Sequence, residues 1–229
     1  MNRIEYDNVL AIDTATRKLN LAVRFGGDRL VKSSETVEKT HGQIIMKKIS
    51  DLFDSAGGSV NELQAVVVGT GPGSFTGLRI GLAAAKGIAV ARDLPVVGVG
   101  VFDVAAICLP AAIHAWVLVP SRRGEYYAGK VAAGSLNADS VRVIAEEELS
   151  SLIGSDPVYG IDFNPTETLA SLMSNLTGEQ LVYDASDMLQ VGLSRLQEYG
   201  PTNLAELEPT YLQKAIAEVR FDQRQKDSK

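Results

Sequence analysis

The sequence predicts an α/β protein in which a mixed sheet is covered by helices, and three observations carry that prediction. Short apolar or alternating runs are interleaved with segments of helical period. The order strand, strand, strand, helix, strand, helix, strand can be read across the first ~100 residues. One of those strands, "LQAVVVGTG", runs straight into a glycine-rich turn that opens a helix.

Taken in order, Val9 to Ile12 is a short apolar run, "LNLAVRF" alternates, "GGD" is a hairpin turn, and "RLVKSSETV" is a half-exposed third strand. "THGQIIMKKISDLFDSAG" reads as a helix with Thr40 as its N-cap and Gly57-Gly58 as its stop. After "LQAVVVGTG", the segment "TGLRIGLAAAKGIAVAR" is a second helix and "LPVVGVGV" a further strand. Beyond Phe102, "DVAAICL" is helical, and "HAWVLVP" and "EYYAGKVAA" are strands joined by "SRRG". "PVYGI" is a short strand, and "PTETLASLMSNL" and "ASDMLQVGLSRLQEYG" are helices, the first started by Pro165. The tail "FDQRQKDSK" is expected to fray. No sequence repeat is visible, and the element order places a domain boundary near Val101 to Val104.

The 229 residues are 45% hydrophobic and 22% charged, which fits a globular chain able to bury a core. A net charge of −6 argues against a surface that grips nucleic acid or anionic lipid unaided. The lone Cys108 excludes a disulfide framework and a cysteine-based metal site. "MNRIEYDNVL" lacks the apolar region of a secretory signal, so a cytoplasmic location is expected. The apolar stretch Leu94 to Pro120 is divided by Asp103 and Pro110 into pieces too short to span a bilayer, so no membrane association is expected.

The turn "GTGPGSFTGLRIG" has the residue types of a phosphate cradle but not the spacing. A P-loop needs a Gly-Lys-Ser/Thr so that lysine reaches the terminal phosphates, yet the first lysine downstream is Lys86. The dinucleotide fingerprint fails because Pro72 follows Gly71 and the third glycine is replaced by Ser74 or Thr76. What remains is a strand-to-helix turn whose N–H groups can meet an anion in a generic way, or a tight turn capped by Ser74 or Thr76. Asp13, Thr14, Gly71 and Gly73 are the candidates for nucleotide contact; no catalytic residue and no metal ligand is expected. His41 and His114 lie more than 70 positions apart, without the His-x-x-x-His spacing that would put two imidazoles on one ion.

In the helix after the turn, Gly77, Gly81, Ala85 and Ala89 form a ridge of small side chains on which another backbone can approach closely, from this chain or from another subunit. The preceding helix offers Ile44, Ile45, Ile49, Leu52 and Phe53. Two adjacent helices with more apolar face than one sheet can cover suggest a docking surface, for which His41, Ile44, Ile45, Lys48, Ile49, Leu52, Gly77, Gly81, Ala84, Ala85 and Ile88 are the candidates.

The blocks "AIDTATRKLNLAV", "THGQIIMKKI", "GTGPGSFTGLRIGLAAAKGIAV", "LPVVGVGVFDVAA", "RRGEYYA" and "EPTYLQKAIAE" together resemble, in order, the bacterial TsaB (YeaZ) family. The resemblance implies two actin-like (ribonuclease-H-like, ASKHA) domains with mixed sheets flanked by helices: residues 1–103, a reduced second domain over 104–205, and a segment 206–229 packing back on the first. It also implies a non-catalytic adaptor for threonylcarbamoyladenosine (t6A) modification of tRNA, partnered by TsaD, joined by TsaE in a larger complex, and homodimeric when alone. No cofactor is then expected for the isolated chain, although a nucleotide can sit at the partner interface, and the acidic balance argues against direct tRNA binding. Pro120-Ser121 departs from the family pattern, which more often has Asp-Ala there.

Two enzyme readings stand beside this one. The first is an actin-like phosphotransferase or nucleotide hydrolase using Asp13 and the glycine turn. Such enzymes need an acidic hairpin from each domain, and the second half offers only Asp162 in "YGIDFNPTE". The second is a glycoprotease-like peptidase, for which no metal pair or nucleophile elbow is visible.

Overall fold

The computed structural model describes residues 5–36, 42, 44–162 and 179–213. Two five-stranded sheets carry the fold. The first is built from β1 (Val9–Asp13), β2 (Lys18–Phe25), β3 (Arg29–Thr36), β4 (Ala65–Gly71) and β5 (Val96–Gly100), in the spatial order β3-β2-β1-β4-β5. The second contains β6 (Ala115–Pro120), β7 (Glu125–Ala132), β8 (Ser135–Ala145), β9 (Val158–Gly160) and β10 (Glu179–Gln180), in the order β8-β7-β6-β9-β10. Each sheet is an antiparallel meander of three strands extended by two parallel ones. The two halves are thus topological copies, a repeat that leaves no trace in the sequence because strand pairing asks only for alternation and not for particular side chains.

Alternation assigns the faces of the first sheet. Leu10, Ile12, Leu21, Val23, Val66 and Val68 point to one side and join the core under α1 (Ile45–Ala56) and α2 (Phe75–Arg92). Val9, Ala11, Ala22, Val67, Val97 and Val99 point to the other and meet α3 (Val101–Cys108) and α5 (Ala185–Tyr199). This second core continues into Val117, Val119 and Val131 of the second sheet, so α3 and α5 lie between the two sheets. Close packing there leaves no room for a side chain at Gly129, where a Cβ would stand 2.9 Å from the Phe102 ring, or at Gly192, where it would stand 2.5 Å from Val67. The outer face of the second sheet, with Trp116, Leu118 and Tyr126, is covered by α4 (Leu149–Ile153).

The α/β class and the order of elements through β5 agree with the sequence reading. Within α1, the stop at Gly57 is as expected, with a left-handed φ of 63° and N–H donation to the Asp54 carbonyl. Its start differs: the helix begins at Ile45 with Ile44 as an N-cap that makes no side-chain hydrogen bond. The proposed cap Thr40, His41, the expected helix from Pro165 and residues 214–229, which include the tail "FDQRQKDSK", lie outside the described residues. The eleven-residue β8, in an unassigned part of the sequence, pairs with β7 through a bulge near Gly129. Its first half, Ser135 to Asp139, is largely exposed and mixes polar with small residues, which hid its period. The expected domain boundary after residue 103 falls inside α3, and α5, expected in the second domain, packs across the first sheet.

Candidate functional site at the interlobe cleft and the outer helix face

β1 ends on Asp13, and the four residues Thr14 to Arg17 turn the chain into β2. Asp13 is only 1% exposed. Its Oδ1 accepts the Ala15 N–H at 2.9 Å, closing an Asx-type turn, and its Oδ2 accepts the Tyr183 hydroxyl at 2.8 Å. The Asn20 amide lies 3.5 Å from the same oxygen. Burial, and then the charge of Asp13, push the Tyr183 hydroxyl well above its ordinary range, so it stays a protonated donor.

The glycine turn closes on this hairpin. Ser74 caps α2, its Oγ accepting the Gly77 N–H at 3.1 Å, while its own N–H donates to the Ala15 carbonyl at 2.7 Å. The Thr14 hydroxyl donates to the Gly77 carbonyl at 2.7 Å. Glycines 69, 73, 77 and 81 all face the hairpin: a Cβ at Gly69 would lie 2.5 Å from Asp13 Oδ1, one at Gly73 would strike the Ala15 carbonyl, and ones at Gly77 and Gly81 would strike Thr14. The motif therefore lets a helix and a hairpin backbone touch. The structure does bring the candidates Asp13, Thr14, Gly71 and Gly73 together, with Asp13 and Thr14 turned to bonds within the chain.

The duplicated topology identifies the matching position in the second half. The turn between β6 and β7, Ser121 to Gly124, corresponds to the Thr14 to Arg17 turn, and Pro120 ends β6 where Asp13 ends β1. Pro120 brings no carboxylate to that place. Asp162, the other acidic candidate, instead accepts the Arg17 N–H at 2.7 Å and ties the first hairpin to the second sheet. Between them lies a cleft of ≈ 210 Å³ lined by Thr16, Arg17, Lys18, Asn20, Asp162 and Tyr183, among others.

Elsewhere, Glu125 and Tyr127 are half-buried residues of the expected strand, and Tyr126 is buried. His114 is exposed before β6. Cys108 is half-buried, its thiol pushed up to about 12 by burial and then by Asp187 and Asp184. Among the described residues, no group of three His, Cys, Asp or Glu is placed to hold a metal ion, and no helix is long and apolar enough to cross a membrane.

The expected docking ridge requires a correction. Gly77, Gly81, Ala85 and Ile88 are buried inside this chain, the glycines against Thr14, so the ridge is occupied by the protein's own hairpin. Ile45, Ile49 and Leu52 likewise belong to the core under the first sheet, because the main apolar stripe of α1 faces the sheet. Of the expected residues, Ile44, Lys48 and Ala84 keep partial exposure, and Lys48 pairs with Glu35 at 2.5 Å. A different row on α2 faces outward: Thr76, Ala83, Gly87 and Val90 are exposed, Val90 by 70%, and Ile80 is half-buried among them. Their spacing alternates four and three, which sets them on one stripe. Gly42, ahead of α1, comes within 3.6 Å of Ile80 measured from where its Cβ would be, and Met46 on α1 is 56% exposed.

Two mixed sheets, each a three-stranded meander with two parallel strands, joined across a cleft that opens beside the β1–β2 hairpin, define an actin-like (ASKHA-type) protein. A family model described as TsaD, tRNA N6-adenosine threonylcarbamoyltransferase, matches residues 32–152, more than half of the chain. The chain belongs to that family, where it falls with the TsaB (YeaZ) proteins. It is 28% identical to the tRNA threonylcarbamoyladenosine biosynthesis protein TsaB of Escherichia coli over 229 positions, covering 91% of this chain and 96% of the relative. It is 26% identical to the protein of the same name from Haemophilus influenzae, covering 91% and 94%. The fold is shared with YeaZ from Pseudomonas aeruginosa, with a TM-score of 0.70 and 24% identity over 90% of this chain and 100% of that one.

Proposed function

We propose that this chain serves the formation of threonylcarbamoyladenosine in tRNA as a non-catalytic subunit that docks a TsaD-type homologue. One observation carries the reading: of two topologically equivalent hairpins, one ends in a carboxylate whose oxygens are both bonded within the chain, and the other ends in Pro120. A two-lobed phosphotransferase needs acidic groups from both sides of the cleft to hold a metal-bound phosphate. The docking surface is the outward row of α2, Thr76, Ile80, Ala83, Gly87 and Val90, together with the start of α1. Its small side chains admit a partner helix at short range, and Val90 is an apolar group that a partner would cover. The occupant is a homologous subunit of the same fold, whose equivalent helices offer a similar ridge. Alone, the chain forms a homodimer through the same face, and TsaE joins in a larger assembly. The chain acts in the cytoplasm, requires no cofactor by itself, and leaves any nucleotide to the partner interface.

Co-expression with the TsaD-type protein of the same cell, followed by size-exclusion chromatography, tests the reading. The expected result is a co-eluting complex that is lost with Ala83→Arg. A complex untouched by that substitution removes the docking surface. Turnover of Mg-ATP by the isolated chain overturns the non-catalytic reading.

A further inference from the structure

After α5 the chain runs as a strap, broken by one turn at residues 204–206, over both halves of the molecule. The Thr202 N–H donates to the Val96 carbonyl at 2.8 Å, which begins the strap on the free edge of β5. Leu207 is buried, its Cδ1 filling the space that a Cβ on Gly98 would need. The Thr210 N–H then donates to the Thr70 carbonyl at 2.8 Å, just ahead of the glycine turn. Tyr211 packs on Phe75 with ring centroids 5.0 Å apart, and its hydroxyl accepts from Arg79 Nε at 2.9 Å, while the guanidinium lies 3.9 Å over the Phe75 ring. All of these anchors belong to the first half.

Gln213 crosses to the second. Its amide oxygen accepts the Ser121 hydroxyl at 3.0 Å and its amide nitrogen donates to Glu125 Oε2 at 2.5 Å. Both ends of one planar amide are thus used on the β6–β7 turn, and the bond to Glu125 is charge-assisted. The contact also gives the Pro120-Ser121 departure a physical role: an alanine at 121 would carry no hydroxyl for Gln213. Two further polar ties between the lobes, from the Arg17 N–H to Asp162 and from the Tyr183 hydroxyl to Asp13, involve different segments.

We propose that residues 207–213 form a clasp that fixes the opening between the two lobes, with Gln213 as its latch on Ser121 and Glu125. When the latch is broken, the β6–β7 turn of the second lobe moves away from the glycine turn while the core shared by the two sheets stays packed. The device does not depend on the docking surface, since its contacts lie within this chain.

Spin labels at Lys47→Cys and Arg123→Cys, both exposed, in a Cys108→Ala background report the lobe-to-lobe distance by pulsed electron resonance. The unaltered clasp is expected to give one narrow distribution. Gln213→Glu places a second carboxylate against Glu125, and the distance is expected to lengthen by more than about 2 Å and to broaden. Ser121→Ala, which removes one hydroxyl and disturbs no core, is expected to broaden the distribution to a smaller degree. Circular dichroism verifies that each variant is folded. Distributions identical to the parent in both variants overturn the proposal and leave the strap as passive packing.

Discussion

The Tyr183 hydroxyl donates to Asp13 Oδ2 across 2.8 Å, joining the end of the first strand to a residue 170 positions later. Both groups are buried, so the bond is sheltered from competing water, and it seals the only acidic end that the duplicated hairpins provide among the described residues. The residue that in a two-lobed enzyme would face a metal here holds the base of the second lobe to the first sheet.

Tyr183→Phe deletes that donor while leaving the buried carboxylate in place, and it is expected to destabilise the fold by about 1–3 kcal/mol. The raised Tyr183 pKa adds a pH signature. In the unfolded chain the phenol ionises near pH ~10, whereas in the folded chain it resists ionisation. Its contribution is therefore complete below that pH and declines as pH rises beyond it. Denaturant titrations across the alkaline range should show this decline in the parent and a flatter profile in Tyr183→Phe.

At the other end of the scale stands Asp184, the N-cap of α5, whose Oδ1 accepts the Ser186 N–H at 2.7 Å. Burial raises its pKa, but hydrogen bonds from Lys32 and Ser186 outweigh burial and hold the carboxyl below the usual range. Its stabilising effect is thus present above the unfolded value near pH ~3.9 and is lost as pH falls through the folded one. Asp184→Ala should cost about 0.5–2 kcal/mol at neutral pH, whereas Asp184→Asn should keep most of the cap. Lys32→Ala, at a solvent-screened ion pair, should leave the unfolding midpoint close to that of the parent. Thermal unfolding of the three variants separates these effects.

Two glycines of α2 should respond in opposite directions. Gly81→Ala drives a methyl into Thr14 and is expected to lose about 1–3 kcal/mol or more. Gly87→Ala meets nothing within 4 Å, has no positive φ, and should gain about 0.5–1 kcal/mol through helix propensity. Midpoints of chemical unfolding decide between this assignment and the reverse one, in which Gly81 would be an open docking position.

Val90→Glu should leave stability within about 0.5 kcal/mol, because Val90 is an exposed side chain at the outer face. The same substitution is expected to abolish association with the TsaD-type subunit, since a carboxylate would be buried without a partner. Chromatography of the mixed proteins and calorimetry of the binding give the measurement.

Much of the first half was legible because its signals are local. β1, β4 and β5 are unbroken apolar runs, Gly57 stops α1 through its left-handed backbone, and Ser74 caps α2 from one turn away. β8 escaped notice because the first half of this edge strand, Ser135 to Asp139, is largely exposed and carries little period to detect. The docking ridge was misplaced for a related reason. α2 carries two stripes of small residues: one contains Gly77, Gly81 and Ala85, the other Ala83 and Gly87. Helical spacing is satisfied by both. Which one faces inward depends on where the hairpin at Thr14 lies, and that hairpin is more than 60 positions away in the chain.

The sequence by itself determined the α/β class, the failure of the nucleotide motifs and the resemblance to the TsaB family, since each rests on residue types at fixed short spacing. Tertiary structure decided the rest. It set Pro120 in the place equivalent to Asp13, closed the Asp13 carboxylate with Tyr183, turned the Gly77 ridge inward, and brought Gln213 to Ser121 and Glu125. Those outcomes depend on side chains brought together by backbone pairing and core packing, which act through space and leave no fixed interval along the chain.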